Sequence, residues 1–193
     1  MKYLLSFLIA ISILACGSSG GGGGGASVDL SAYQTEESNG VTRAFKLDSD
    51  GNLMEDGFVS NGSKNGVWTV YDPKTRRIKS ITSYSNGAMN GPHLEYSNRG
   101  QIETRINYLN NEYHGMYGTF KNGRTVKEMA YKNGVIHGEV REFTSRGKLQ
   151  KMTEFKDGKI HGDMIFYDDE ENVVMQYKYE NGDKVSGGII EKE

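Results

Sequence analysis

The chain has 193 residues, with 23 Lys and Arg against 25 Asp and Glu, and a single cysteine. That length sets a prior of one domain, a net charge of −2 argues against a nucleic-acid binder, and one cysteine rules out an intramolecular disulfide or a Cys-based zinc site. Twenty-six glycines beside two prolines, with 12 Tyr and 7 Phe, are not the composition of a disordered chain; they suit tight turns between aromatic-bearing strands.

The chain opens on Met1-Lys2-Tyr3 and then an almost unbroken apolar run from Leu4 to Ala15. The run is too short for the roughly 20 residues that span a bilayer and fits the core of a secretory signal peptide. It ends in Ile13-Leu14-Ala15-Cys16, followed by Gly17, which resembles a bacterial lipobox. The resemblance implies cleavage before Cys16, lipidation of Cys16, and a membrane anchor at the new N-terminus. The implied location is the cell envelope, at the outer membrane if the cell is Gram-negative, because Gly17 is not Asp. Several acyl chains would make that anchoring stable, where one binds only marginally.

Gly17-Ser18-Ser19 and Gly20 to Gly25 follow, a flexible coil spanning roughly 20 Å. Gly17-Ser18-Ser19-Gly20-Gly21 formally matches a nucleophile elbow, but neither the strand before it nor the helix after it is present. The predicted organisation is a signal peptide over 1–15, a lipidated tether over 16–30 and repeats over 31–193.

Asn61-Gly62, Asn86-Gly87, Asn110-Asn111, Asn133-Gly134, Asp157-Gly158 and Asn181-Gly182 recur at intervals of 23 to 25 residues. Four residues after each of the first five pairs stands another glycine, at 66, 91, 115, 138 and 162; the sixth slips to Gly187. Five residues after the first five of these glycines come Tyr71, Tyr96, Phe120, Phe143 and Tyr167, and two before the later turn pairs come Tyr84, Tyr108, Tyr131, Phe155 and Tyr179. Such self-similarity marks a repeat architecture. Asn-Gly and Asp-Gly favour the positive φ of primed hairpin turns, and the segments between alternate with period two, as Ile102, Thr104, Ile106 and Tyr108 do against Glu103, Arg105 and Asn107. The predicted fold is all-β: an elongated antiparallel array of β-hairpins in one twisted meander. Each unit buries its apolar face only against its neighbours.

Tyr-Lys-Asn-Gly-Val-Ile-His-Gly at 131–138 and Phe-Lys-Asp-Gly-Lys-Ile-His-Gly at 155–162 resemble the MORN repeat, more closely its bacterial variant. That variant also defines the YwqK family of proteins, which are described as antitoxins. The resemblance covers about residues 52–188. It implies a protein-binding or membrane-apposed scaffold, or an antitoxin acting on a cognate toxin.

The constellations that resemble catalytic or metal sites have simpler readings. His114, His137 and His161 each precede the repeat glycine. Equivalent positions two strands apart are separated by roughly 9–10 Å, whereas ligand atoms stand about 2 Å from a metal. Asn65 and Asn90 fill the same slot, which points to a turn role. Asp48-Ser49-Asp50-Gly51-Asn52 lacks the glycine and glutamate of a calcium loop and reads as a hairpin turn; Asp168-Asp169-Glu170-Glu171 reads as a solvated acidic turn. No metal, cofactor or enzymatic activity is expected.

One column reads as a candidate partner-binding strip: Trp68, His93, Tyr117, Val140 and Met164, each two residues past a repeat glycine. By period two it faces away from the Tyr71, Tyr96, Phe120, Phe143 and Tyr167 ladder. If the ladder is core, the column is exposed with Trp68 as anchor, since Trp and Tyr dominate binding hot spots. The expected function is therefore a non-enzymatic, lipid-anchored envelope scaffold with an unknown protein partner and no nucleic acid; the alternative is an antitoxin or immunity protein.

Overall fold

A computed structural model describes residues 27–190. Fourteen strands lie side by side in strict sequence order in one antiparallel sheet. They are β1 (Gln34–Ser38), β2 (Val41–Leu47), β3 (Leu53–Ser60), β4 (Ser63–Tyr71), β5 (Ile78–Ser85), β6 (Ala88–Tyr96) and β7 (Ile102–Leu109). The second half comprises β8 (Glu112–Lys121), β9 (Arg124–Lys132), β10 (Val135–Phe143), β11 (Leu149–Lys156), β12 (Lys159–Tyr167), β13 (Val173–Glu180) and β14 (Asp183–Ile189). At about 4.8 Å per strand, the sheet measures roughly 60 Å across its strands. The hairpin-array expectation holds.

Two backbone devices set the repeat. At one rim the turn pairs adopt the left-handed conformation that a two-residue primed turn demands: Asn133 has φ 50° and Gly134 φ 79°, and Asn111, at φ 70°, takes the place of glycine in its copy. The five turn pairs from Asn86-Gly87 to Asn181-Gly182 also bond to the preceding hairpin. The N–H groups of Gly134, Gly158 and Gly182 donate to the carbonyls of Tyr113, Ile136 and Ile160 at 2.8–2.9 Å. The hairpins are therefore joined at their tips as well as along their strands.

The second device is the repeat glycine. Ile106 pairs with Tyr117 and Tyr108 with Tyr113, so His114, Gly115 and Met116 bulge out opposite the single residue Asn107. Gly115 stands at φ 87°, a region that L side chains rarely enter. The same excess recurs in β6, β10 and β12. A further one-residue slip falls at Tyr71, Tyr96, Phe120, Phe143 and Tyr167, where each even strand ends.

The start of the described chain folds back onto the array. Ser27 bridges Ser63, and the Val28 N–H donates to the Gly62 carbonyl at 3.0 Å. A 3-10 turn over Leu30–Ala32 is capped by the Asp29 carboxylate. Residues 27–30, expected in the tether, thus belong to the folded unit: Val28 and Leu30 find apolar surface against Ala44, Val59 and Trp68.

Candidate functional site

The proposed strip occupies the middle of the sheet. Trp68 pairs with Thr82, Thr82 with His93, His93 with Ile106, Ile106 with Tyr117 and Tyr117 with Met129. The row runs on through Val140, Thr153, Met164 and Tyr177. Directly opposite residues share a face about 4.5–5.5 Å apart, so the five residues of the strip are alternate members of one continuous row. Sequence reasoning missed the intervening members Thr82, Ile106, Met129 and Thr153 as part of this row. Their signal was available: each stands two residues before a turn aromatic, at the period that keeps side chains on one face.

The expectation that this column is exposed is corrected. Trp68 is 2% exposed and Val140 5%, while His93, Tyr117 and Met164 are half-buried. The row lies mid-strand, walled by cross-strand neighbours and by the Tyr84, Tyr108 and Tyr131 ladder on the same face. The expected opposition to the second ladder is visible at Phe120. Its ring lies 3.1 Å from where a Cβ on Gly118 would stand, on the face away from Tyr117.

At Trp68 the N-terminal segment completes the burial. Tyr33 meets the indole edge-on at 5.6 Å between centroids, and Tyr84 does so at 6.5 Å. The Trp68 Nε1–H donates to the Phe58 carbonyl at 2.9 Å. The Lys64 ammonium sits 3.9 Å over the indole and donates to Glu55 at 2.7 Å. The Tyr33 hydroxyl also donates to Glu55, at 2.8 Å. Burial alone would raise the Glu55 carboxyl; the hydrogen bonds from Lys64 and Tyr33 outweigh it and hold the group below its ordinary value.

A second aromatic cluster lies mid-sheet, where Tyr113 packs edge-on against Tyr108 and Tyr131, each 5.1 Å away. Burial, followed by the hydrogen bond with Tyr113, pushes the Tyr108 hydroxyl up to about 12. Near neutral pH the Tyr108 hydroxyl is therefore neutral, and the cluster is one of packing.

The other candidates resolve into turn chemistry. The Nδ1 atoms of His114, His137 and His161 each accept, at 3.4 Å, the backbone N–H of the next copy's turn residue, Asn133, Asp157 and Asn181. His137→Ala is accordingly expected to cost less than about 1 kcal/mol, read as a small fall in Tm, and EDTA is expected to leave Tm unchanged. Asp48 spends its carboxylate on the Asn52 side chain and the Asn52 and Asp50 N–H groups of its own loop, and those bonds lower its pKa. Asp168 accepts from Glu170 and Asn172 in the same way. Among the described residues no group of three or more His, Cys, Asp or Glu is placed to hold a metal ion. Cys16 and the Gly17–Gly21 match lie outside the described residues.

No protein-family model and no curated protein matches the chain. Among solved structures it is similar to Staphylococcus aureus TarM in complex with Fondaparinux, alpha-GlcNAc-glycerol and UDP. The identity is 15%, over 68% of this chain and 21% of that one, with a TM-score of 0.27. A second TarM structure aligns at 17% identity over 67% and 22% of the two chains, with a TM-score of 0.25. The chain thus spans about a fifth of the proteins it superposes on, and a superposition this loose says nothing about activity.

Proposed function

We propose that this chain is a non-enzymatic, lipid-anchored envelope protein whose MORN-like hairpin array is a scaffold for a protein partner. The observation that carries the reading is the unbroken ladder of fourteen strands in sequence order, which presents a repeating surface along its whole length. The lipobox at Cys16 supports the location. With Trp68 and Val140 buried and His93, Tyr117 and Met164 half-buried, the surface offered to a partner is the opposite face. Val67 and Met116, next in sequence to the row members Trp68 and Tyr117 and so on the other side of the sheet, are 52% and 46% exposed there.

The test is localisation of the wild-type chain beside Cys16→Ala, by fractionation, lipid labelling and protease shaving of whole cells. Lipid label and membrane residence are expected in the wild type and lost in the variant. Crosslinking from a photoreactive residue at 67 or 116 is expected to trap an envelope protein. Unlabelled cytosolic protein in both forms would overturn the location, and an anchored chain with no crosslinked partner would overturn the scaffold role.

A further inference from the structure

The net charge of −2 conceals a segregation. Alternate turns of a meander fall on the same rim, and the four middle turns of the rim away from the Asn-Gly pairs are residues 72–77, 97–101, 121–124 and 144–148. They carry eight Lys and Arg and one acid, Asp72, whose carboxylate caps its own turn. The two end turns of the same rim, 48–52 and 168–172, are acidic, with Asp48, Asp50, Asp168, Asp169, Glu170 and Glu171, so the positive charge is confined to the middle of this rim; the turns of the Asn-Gly rim carry Lys132, Lys156 and Lys159 against Glu112, Asp157, Glu180 and Asp183.

Seven of the eight are exposed and Lys148 is half-buried, and among the described residues Arg146 alone of the eight forms an ion pair, with Asp169 at 3.7 Å. Elsewhere on the sheet, Arg43, Lys46, Lys64, Lys127 and Arg141 are each paired with an acid. Several rim side chains are instead held by neutral groups of the neighbouring turn. Arg77 donates to the Asn98 carbonyl at 3.3 Å and Arg124 to the Ser145 carbonyl at 3.5 Å. At the ends of the stretch Arg76 and Lys148 reach the acidic turns, Arg76 donating to the Asn52 side chain beside Asp48 and Lys148 to the Asp169 carbonyl, while between them Arg77, Arg99, Lys121 and Arg124 meet no carboxylate within ion-pair distance among the described residues.

Two successive hollows open along this rim and share Arg99. One, of about 450 Å³, sets Tyr71, Ile78 and Tyr96 beside Arg76, Arg77 and Arg99. The other, of about 390 Å³, sets Ile102 and Phe120 beside Arg99, Gln101 and Lys121, with one carboxylate, Glu103. Each therefore joins flat apolar side chains to guanidinium or ammonium groups.

We infer that this rim binds an acidic polysaccharide laid across successive hairpins, its anionic groups on the Arg and Lys clusters and its sugar rings against the Tyr, Ile and Phe side chains between them. Guanidinium forks match carboxylate, sulfate and phosphate oxygens. The clusters recur every second strand, roughly 9–10 Å apart, which suits a chain charged once per short saccharide repeat. A nucleic-acid strand carries a phosphate about every 3.4 Å, a poorer match to that spacing.

The test uses the purified full chain and a fluorescent hyaluronate oligosaccharide, which is charged on alternate sugars, with neutral dextran, inorganic polyphosphate and poly(dT) as comparators. Hyaluronate is expected to bind, more weakly as salt rises, and dextran is not. Arg77→Glu with Arg99→Glu is expected to weaken binding about tenfold or more, while the same charge change at Lys132 and Lys156 on the other rim changes it less than about twofold. Arg77→Gln with Arg99→Gln serves if the reversals disturb folding, which Trp68 fluorescence reports. No hyaluronate binding, equal losses at the two rims, or tighter binding of polyphosphate or poly(dT) would overturn the inference. None of these outcomes bears on the protein partner, which is tested by crosslinking at 67 and 116.

Discussion

Gly57→Ala is expected to unfold the first hairpins at a lower denaturant concentration than the rest of the sheet. A Cβ at position 57 would run into the Trp68 indole, meeting three of its ring carbons. The indole has nowhere to retreat. Tyr33 and Tyr84 bracket it, its N–H is committed to the Phe58 carbonyl, and Lys64 covers its face. Overpacking a filled site costs about 1–3 kcal/mol, and truncating the ring instead, in Trp68→Ala, about 3–5 kcal/mol. In a chain this size each kcal/mol is worth about 2–4 °C in Tm. The array is held by nearest-neighbour contacts, so the loss should stay near β3 and β4. Trp68 is the only tryptophan, so its fluorescence reports that end alone, whereas circular dichroism reports the whole sheet. In Gly57→Ala the fluorescence midpoint should fall below the dichroism midpoint, and hydrogen exchange should quicken in β2–β5 with β9–β13 still protected. Coincident midpoints that fall together would show one cooperative unit and refute the local picture.

That locality explains which parts of the molecule were legible in sequence. The Asn-Gly pairs and their 23–25 residue recurrence prescribe hairpin turns through the φ preferences of two residues, and the antiparallel hairpin array follows without tertiary information. Side-chain direction was legible only where period two runs unbroken. Between Asn65 and Trp68, and between His114 and Tyr117, the bulge at the repeat glycine interrupts the alternation, so counting forward from the glycine could not show that Trp68 and Tyr117 join Thr82, Ile106 and Met129 in one buried row. The cover over Trp68 was invisible for another reason. Val28, Leu30 and Tyr33 precede the first full repeat, and no periodicity says that they turn back. Asn65 and Asn90 in the same slot pointed the histidines toward a turn role; each lies within a strand, and its partner, the backbone N–H of the next copy's turn, needs coordinates. The cationic stretch escaped notice because a whole-chain charge sums over both rims, and on its own rim the acidic turns at 48–52 and 168–172 offset it.

Glu55→Gln should destabilise the same end at neutral pH and remove part of the acid sensitivity of the wild type. The Glu55 side chain is 17% exposed and accepts from Lys64 and Tyr33, with the Lys46 ammonium 3.8 Å away. Gln can still accept from the Tyr33 hydroxyl, but it leaves the Lys64 ammonium beside Trp68 without its counter-charge. Losing a hydrogen bond to a charged partner in a site this covered costs about 1.5–3 kcal/mol. The folded-state pKa of Glu55 lies below its ordinary 4.5. Its contribution to stability is therefore fully present above that ordinary value and is lost as pH falls through the folded one. Urea unfolding followed by Trp68 fluorescence should show the widest gap between wild type and Glu55→Gln at about pH 7, still nearly full at about pH 5, and closing towards about pH 3. Tyr33→Phe should lower stability by about 1 kcal/mol and make the carboxylate easier to protonate, so that the wild-type acid transition moves to higher pH. A gap that stays constant from neutral to acid pH would show that Glu55 acts through packing alone, and that the charge on Lys64 is stabilised by the Trp68 and Tyr84 rings without the carboxylate.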